Sequence, residues 1–128
     1  MKHVFICGSA LTGQPDHGNL QEAQLLGAAQ TTADYRMHSA QNDWHPAIFQ
    51  VESGGIAIPG EVYAMTDEQF DYLVKSEPPY MYPAEVQISD GSIAIMFMYP
   101  YDKVVEYGWP DISGFGGWAN YMASRAAN

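Results

Sequence analysis

The chain is poor in basic residues and nearly devoid of cysteine. Five lysines and arginines stand against fifteen aspartates and glutamates, a formal net charge of −10. Phosphate contacts need lysine and arginine, so this balance excludes nucleic acid as a partner and disfavours binding to an anionic membrane surface. The single cysteine, Cys7, excludes an internal disulfide framework and leaves no cysteine cluster for zinc. A reducing cytoplasm is the simplest compartment on that count. No apolar run approaches membrane-spanning length, and Val4-Phe5-Ile6-Cys7, cut off by Gly8, is too short for the core of a signal peptide. Repeats, low-complexity tracts and interdomain linkers are missing. So are a Ser-His-Asp signature, a phosphate loop and a dinucleotide fingerprint. The four histidines are scattered singly with no i, i+4 pair, so neither a metal nor a cofactor is expected.

What is present suits one globular domain over residues 1–128. A chain of this length with 47% hydrophobic residues can bury a core without staples. Val4 to Cys7 reads as a short buried strand that stops at Gly8-Ser9. The loop Thr12 to Gly18 is rich in turn formers, and Asn19 is placed to cap a short helix running through Leu25-Leu26. Ala28 to Ser39 favours a strand, since Tyr35 and Met37 alternate with polar neighbours. Pro46 to Glu52 and Ile56 to Met65 flank Ser53-Gly54-Gly55 and read as a β-hairpin.

Thr66 and Gln69 form a capping box, and Phe70, Leu73 and Val74 form an apolar stripe behind it. A helix is therefore predicted over residues 67 to 76, ended at Glu77 by Pro78-Pro79. Asp90-Gly91 between Glu85–Ser89 and Ser92–Tyr99 is the strongest hairpin signal in the chain. A poorly patterned connection leads to a last helix, roughly Gly114 to Arg125. Its entrance, Gly116-Gly117, permits close backbone approach, and Trp118 and Tyr121 share one face, the usual arrangement of a helix docked on a core. Counted together, about six strands and two or three helices joined largely by hairpins imply an α+β domain with a mixed or antiparallel, strongly curved, barrel-like sheet.

Two places invite chemistry. Gly8-Ser9-Ala10-Leu11 follows a strand, where successive backbone N–H groups can cradle a carboxylate; the alternative is an ordinary turn. Glu77 sits at a helix C-terminus, facing the negative end of the dipole, which favours the neutral acid and moves its pKa toward that of a general base. The alternative is a surface glutamate. His17 in the loop is a candidate acid, base or ligand, whereas His38 and His45 read as surface groups. Cys7 is a possible nucleophile, although a lone strand cysteine is usually a small buried hydrophobe.

These segments, in this order and spacing, resemble the γ-glutamylcyclotransferase-like superfamily, and most closely the C-terminal domain of allophanate hydrolase. The resemblance runs through Val4-Phe5-Ile6-Cys7-Gly8, Thr32 to Met37, Gly60 to Met65, Val86 to Gly91, and Asp111-Ile112-Ser113 with Gly116-Gly117-Trp118 and Tyr121. It implies a small mixed or antiparallel β-barrel with packed helices around a small-molecule cavity. It also implies that Gly8, Ser9, Ala10 and Leu11 hold substrate, with Tyr35 counted beside them, and that Glu77 stands where cyclotransferases carry their base. Allophanate hydrolase domains usually lack that glutamate, and in a fungal enzyme the domain is implicated in decarboxylating the product of the neighbouring amidase. The loop Gln14 to Leu20 approximates the hydrolase pattern Pro-Leu-Asn-His-x-Leu, with His17 one place early. Cys7 replaces the tyrosine of many cyclotransferases.

Three readings follow. The first is a stand-alone relative of the hydrolase domain that binds a small carboxylate or ureido compound and decarboxylates it or assists a separate amidase. The second is a cyclotransferase that closes γ-glutamyl amides to 5-oxoproline with Glu77 as base. The third is a non-catalytic interaction module. The cavity separates them: Glu77 inside beside the Gly8 turn favours the second, and His17 inside with Glu77 in solvent favours the first.

Overall fold

The computed structural model describes residues 1–126. Seven strands and three α-helices occur in the order β1 (Lys2–Ile6), β2 (Gln24–Gln30), β3 (Tyr35–Ala40), β4 (His45–Gln50), β5 (Pro59–Met65), α1 (Asp67–Ser76), β6 (Tyr82–Gln87), β7 (Ile93–Met98), α2 (Tyr101–Tyr107) and α3 (Trp118–Ala126). Short 3₁₀ turns occupy His17–Leu20 and Ser113–Phe115. Among these residues no helix is long and apolar enough to cross a membrane.

The strands form two sheets, one of five strands in the order β2-β5-β1-β7-β6 and one pairing β3 with β4. The large sheet is mixed: β1 runs antiparallel to β5 and parallel to β7. The α+β class expected from the sequence is observed, but a closed barrel is not. The sheet curls, helped by a bulge in β2 between Leu25 and Gly27. Among the described residues its two edges meet around one isolated bridge, between Thr31 and Ile88, where Ser89 N–H also donates to Gln30 O at 2.9 Å. One point of contact does not close a ring of strands.

The partner of β4 explains why no ring forms. The expected hairpin across Ser53-Gly54-Gly55 does not exist: β4 pairs with β3 in the register Ala40↔His45 to Tyr35↔Gln50. The chain reverses instead through Gln41, Asn42 and Asp43, all at positive φ. Residues after Gly55 return to β3, where Ile56 and Tyr35 exchange backbone bonds, before β5 enters the other sheet between β1 and β2. Both segments are strands, as their composition predicts; only their pairing differs.

Capping chemistry makes α1 match its expected bounds. Thr66 Oγ1 accepts from Gln69 N–H at 3.1 Å, and Gln69 Oε1 accepts from Thr66 N–H at 2.9 Å. The short helix expected from Asn19 through Leu26 is instead the 3₁₀ turn, broken by Gln21 and Glu22 at positive φ, and Leu25-Leu26 begin β2 as exposed residues. Helix α2 was not anticipated, because Val104 is its one buried residue and so there is no apolar stripe to read.

The main core joins β1, β5 and β7 to Leu73 of α1 and to Trp118 and Tyr121 of α3. Gly117 explains the glycine pair before α3: its φ is +114°, and a Cβ there would lie 2.6 Å from Pro59 Cγ. Trp118 can reach the core only with the backbone this close to β5. Gly117→Ala should therefore destabilise the protein by about 1–3 kcal/mol through overpacking and a disfavoured φ. Gly114→Ala, where an added Cβ meets nothing within 4 Å, should be near neutral. Urea midpoints of the two variants check this.

Candidate functional site

The first strand ends against the start of β4, and this contact makes the site. Gly8 is buried, and a Cβ on it would lie 2.5 Å from Cδ and Cγ of Pro46. Only a glycine lets the turn after β1 sit on β4 this closely. Leu11 N–H closes the turn on Gly8 O at 3.0 Å, which leaves the central amides, those of Ser9 and Ala10, outside the turn's own hydrogen bond. Beside the turn lies a partly open cleft of about 50 Å³ lined by Gly8, Ser9, Ala10, Cys7, Glu77 and His45, with apolar walls that include Ile48, Met81 and Phe97. This volume holds a few water-sized groups, the head of a small ligand.

Glu77 reaches the cleft because of where α1 stops. Pro78 forces the preceding residue out of helical geometry, and Glu77 is extended at φ −75° and ψ 150° with its N–H on Val74 O. Burial pushes its carboxyl up to about 7, and the carboxylate of Asp16 adds to the rise. The upward direction is the one expected from the sequence, and its causes are first desolvation and then a neighbouring charge, neither of which the sequence showed. Asp16 is held by the loop that follows the turn: its N–H donates to Ser9 O at 2.9 Å, and its Oδ2 accepts from Trp44 Nε1 at 3.0 Å.

The remaining candidates divide. Cys7 lines the cleft, but burial, with Glu77 adding, pushes its thiol up to about 12, so at neutral pH it is protonated and a poor nucleophile. His17 does not line the cleft; its Nδ1 is 2.9 Å from Ala10 O. A carbonyl only accepts, so His17 donates through Nδ1 and braces the turn. Leu11 and Tyr35 are core residues that line no part of the cleft. Among the described residues no cluster of three His, Cys, Asp or Glu side chains could hold a metal.

His45 is not the surface group expected from the sequence. It is 2% exposed, packed edge-on against Trp44 and Trp109, and it is one of the residues that line the cleft. The one signal for it was Pro46 next in sequence, which says nothing about burial. Tyr99 is also buried, while Tyr80, Tyr82 and Tyr101 are exposed.

The model of the allophanate hydrolase C-terminal domain matches residues 2–123. The chain belongs to that family. The solved structure of a uropathogenic E. coli-specific protein is 25% identical to this family member, covers 95% of each chain and superposes with a TM-score of 0.86. Kluyveromyces lactis allophanate hydrolase, at 24% identity and a TM-score of 0.87, covers 96% of this chain but only 21% of its own, which shows a shared fold for that portion. The gamma-glutamylaminecyclotransferase C of Danio rerio is 30% identical over 76 residues, covering 56% of this chain. The match spans half the length of that protein.

Proposed function

We propose that the protein is a cyclotransferase acting on γ-glutamyl amines, releasing 5-oxoproline and a free amine. The observation that carries this reading is the carboxyl of Glu77, raised to about 7, in the same cleft as the amides of the turn Gly8 to Ala10. In this reading the substrate α-carboxylate takes the Ser9 and Ala10 amides, which present positive partial charge to an anion. Ionised Glu77 removes a proton from the α-amine as its nitrogen attacks the γ-carbonyl carbon. The ring C–N bond forms, the γ-amide C–N bond breaks, and Glu77 returns the proton to the departing amine. A carboxyl titrating near neutrality suits both halves of that transfer. The apolar walls keep water from competing with the internal amine.

A rival reading, binding of a small carboxylate or ureido compound with decarboxylation or support of a separate amidase, is favoured by the family's name. It has less support from the site, because His17, the residue linked to that chemistry by resemblance, braces the turn from outside the cleft. The test is to incubate the purified protein with γ-glutamyl alkylamides and to follow 5-oxoproline by chromatography. Thermal shifts with malonate, biuret and allophanate run in parallel. Formation of 5-oxoproline is expected. Stabilisation by the ureido compounds and malonate with no 5-oxoproline would overturn the proposal in favour of its rival, because only a ligand of the folded state raises its melting point. Absence of both responses would leave the non-catalytic module.

A further inference from the structure

His45 carries a polar atom that the fold leaves without a partner. Its Nδ1 lies 3.0 Å from Pro46 O, and a carbonyl only accepts, so the proton is on Nδ1 and Nε2 bears a lone pair. That Nε2 is buried and has no hydrogen-bond partner among the described residues. Buried polar atoms are nearly always satisfied, so an orphan on a residue that lines a cleft needs an explanation. The ring cannot escape to solvent, because Trp44, Tyr99 and Trp109 pack around it at centroid distances of 5.3, 6.1 and 6.2 Å. Burial also holds the imidazole below its ordinary pKa, which keeps it neutral and accepting near pH 7.

The cleft then presents three kinds of group: amide donors on the turn, the proton-exchanging Glu77, and a fixed neutral acceptor on His45. The geometry points to His45 as a binding residue that accepts a hydrogen bond from the substrate's α-amine through Nε2. This rests on the cyclotransferase reading, in which an N–H donor must lie in this cleft. The nucleophilic nitrogen gives one N–H to Glu77 and another to His45, which turns its lone pair toward the γ-carbonyl carbon. The charge of the Asp16 carboxylate acts on both Glu77 and His45, raising the proton affinity of each. The specificity implied is for γ-glutamyl compounds with a free α-amine.

The test compares γ-glutamyl methylamide as substrate with N-methylglutaramate, the same molecule without the α-amine, as competitive inhibitor. His45→Phe keeps a flat ring and removes the acceptor; His45→Gln can place an amide oxygen near Nε2. For His45→Phe the KM for the methylamide should rise roughly tenfold to a hundredfold, the range for leaving a buried donor without its partner. The inhibition constant of N-methylglutaramate should barely move, and His45→Gln should restore much of the lost KM. An unchanged KM, or an equal weakening of substrate and inhibitor, overturns the assignment while turnover by the parent leaves the cyclotransferase reading standing. A parent that does not turn over the methylamide removes both. Should the Phe variant not fold, ¹⁵N spectra of imidazole-labelled parent protein decide. The His45 Nε2 signal should move on addition of L-glutamate and not of glutarate, and an unmoved signal overturns the assignment.

Discussion

Glu77→Gln should form 5-oxoproline about 10²–10⁴-fold more slowly than the parent, the usual worth of a positioned general base. The substitution keeps the shape of the side chain and its place after α1, because Pro78 and the extended backbone hold it there whatever its charge. It removes only the group that exchanges a proton. Parent kcat/KM should fall on the acid side with an apparent pKa close to the value of about 7 set by burial and Asp16. Asp16→Asn removes the second of these causes, so that limb should move to lower pH without disappearing. Retention of parental turnover by Glu77→Gln, measured from pH 5 to 9, would remove Glu77 as the base.

Stability should change in the opposite sense. Below about pH 4.5 Glu77 is protonated in both the folded and the unfolded chain. Between about 4.5 and 7 the folded chain still holds a proton that the unfolded chain has released, and as pH rises through 7 the folded state must bear a poorly solvated charge. The folded pKa is the higher one, so this group's contribution is full at low pH and is lost as pH rises through neutrality. The loss is on the order of 3 kcal/mol for a shift of this size. Glu77→Gln removes the charge, so the variant should match the parent near pH 4.5 and exceed it by about 2–3 kcal/mol at pH 8. Urea denaturation at the two pH values, read as the difference between the proteins, cancels every other titrating group. Equal midpoints at pH 8 would mean that Glu77 is well solvated and its pKa ordinary. A residue that weakens the fold in its working protonation state is what an active-site acid or base looks like.

How much of this was legible depended on how local the cause was. Helix α1 was readable to the residue, because the capping box at Thr66 and the stop at Pro78 act within a few positions of each other. The β6–β7 hairpin was readable for the same reason through Asp90-Gly91. The placement of Glu77 follows directly from α1, so the best candidate of the site was visible too. The docking of Trp118 and Tyr121 on one helix face was visible from their spacing, though the need for Gly117 was not, since it comes from Pro59 far away in sequence. Helix α2 was hidden by its single buried residue, despite Pro100 before it and Gly108 at its end.

Partner choice between strands was not legible. Residues 46–52 and 56–65 both carry strand composition, and adjacency in sequence argued for pairing them. Pairing of both edges of β5, with β1 and with β2, won instead, and β4 was left to β3. The same rearrangement brings Pro46 against Gly8 and buries His45, which no local pattern predicted. By itself, then, the sequence determined the elements whose causes lie within a turn or two: the capped helix, the Gly8 turn and an acid where α1 ends. Tertiary structure alone decided that the turn, Glu77 and His45 share one cleft, that burial and Asp16 raise Glu77 to about 7, and that His17 stays outside. The physical reason is that desolvation and strand pairing depend on atoms distant in sequence, whose arrangement exists only once the core has formed.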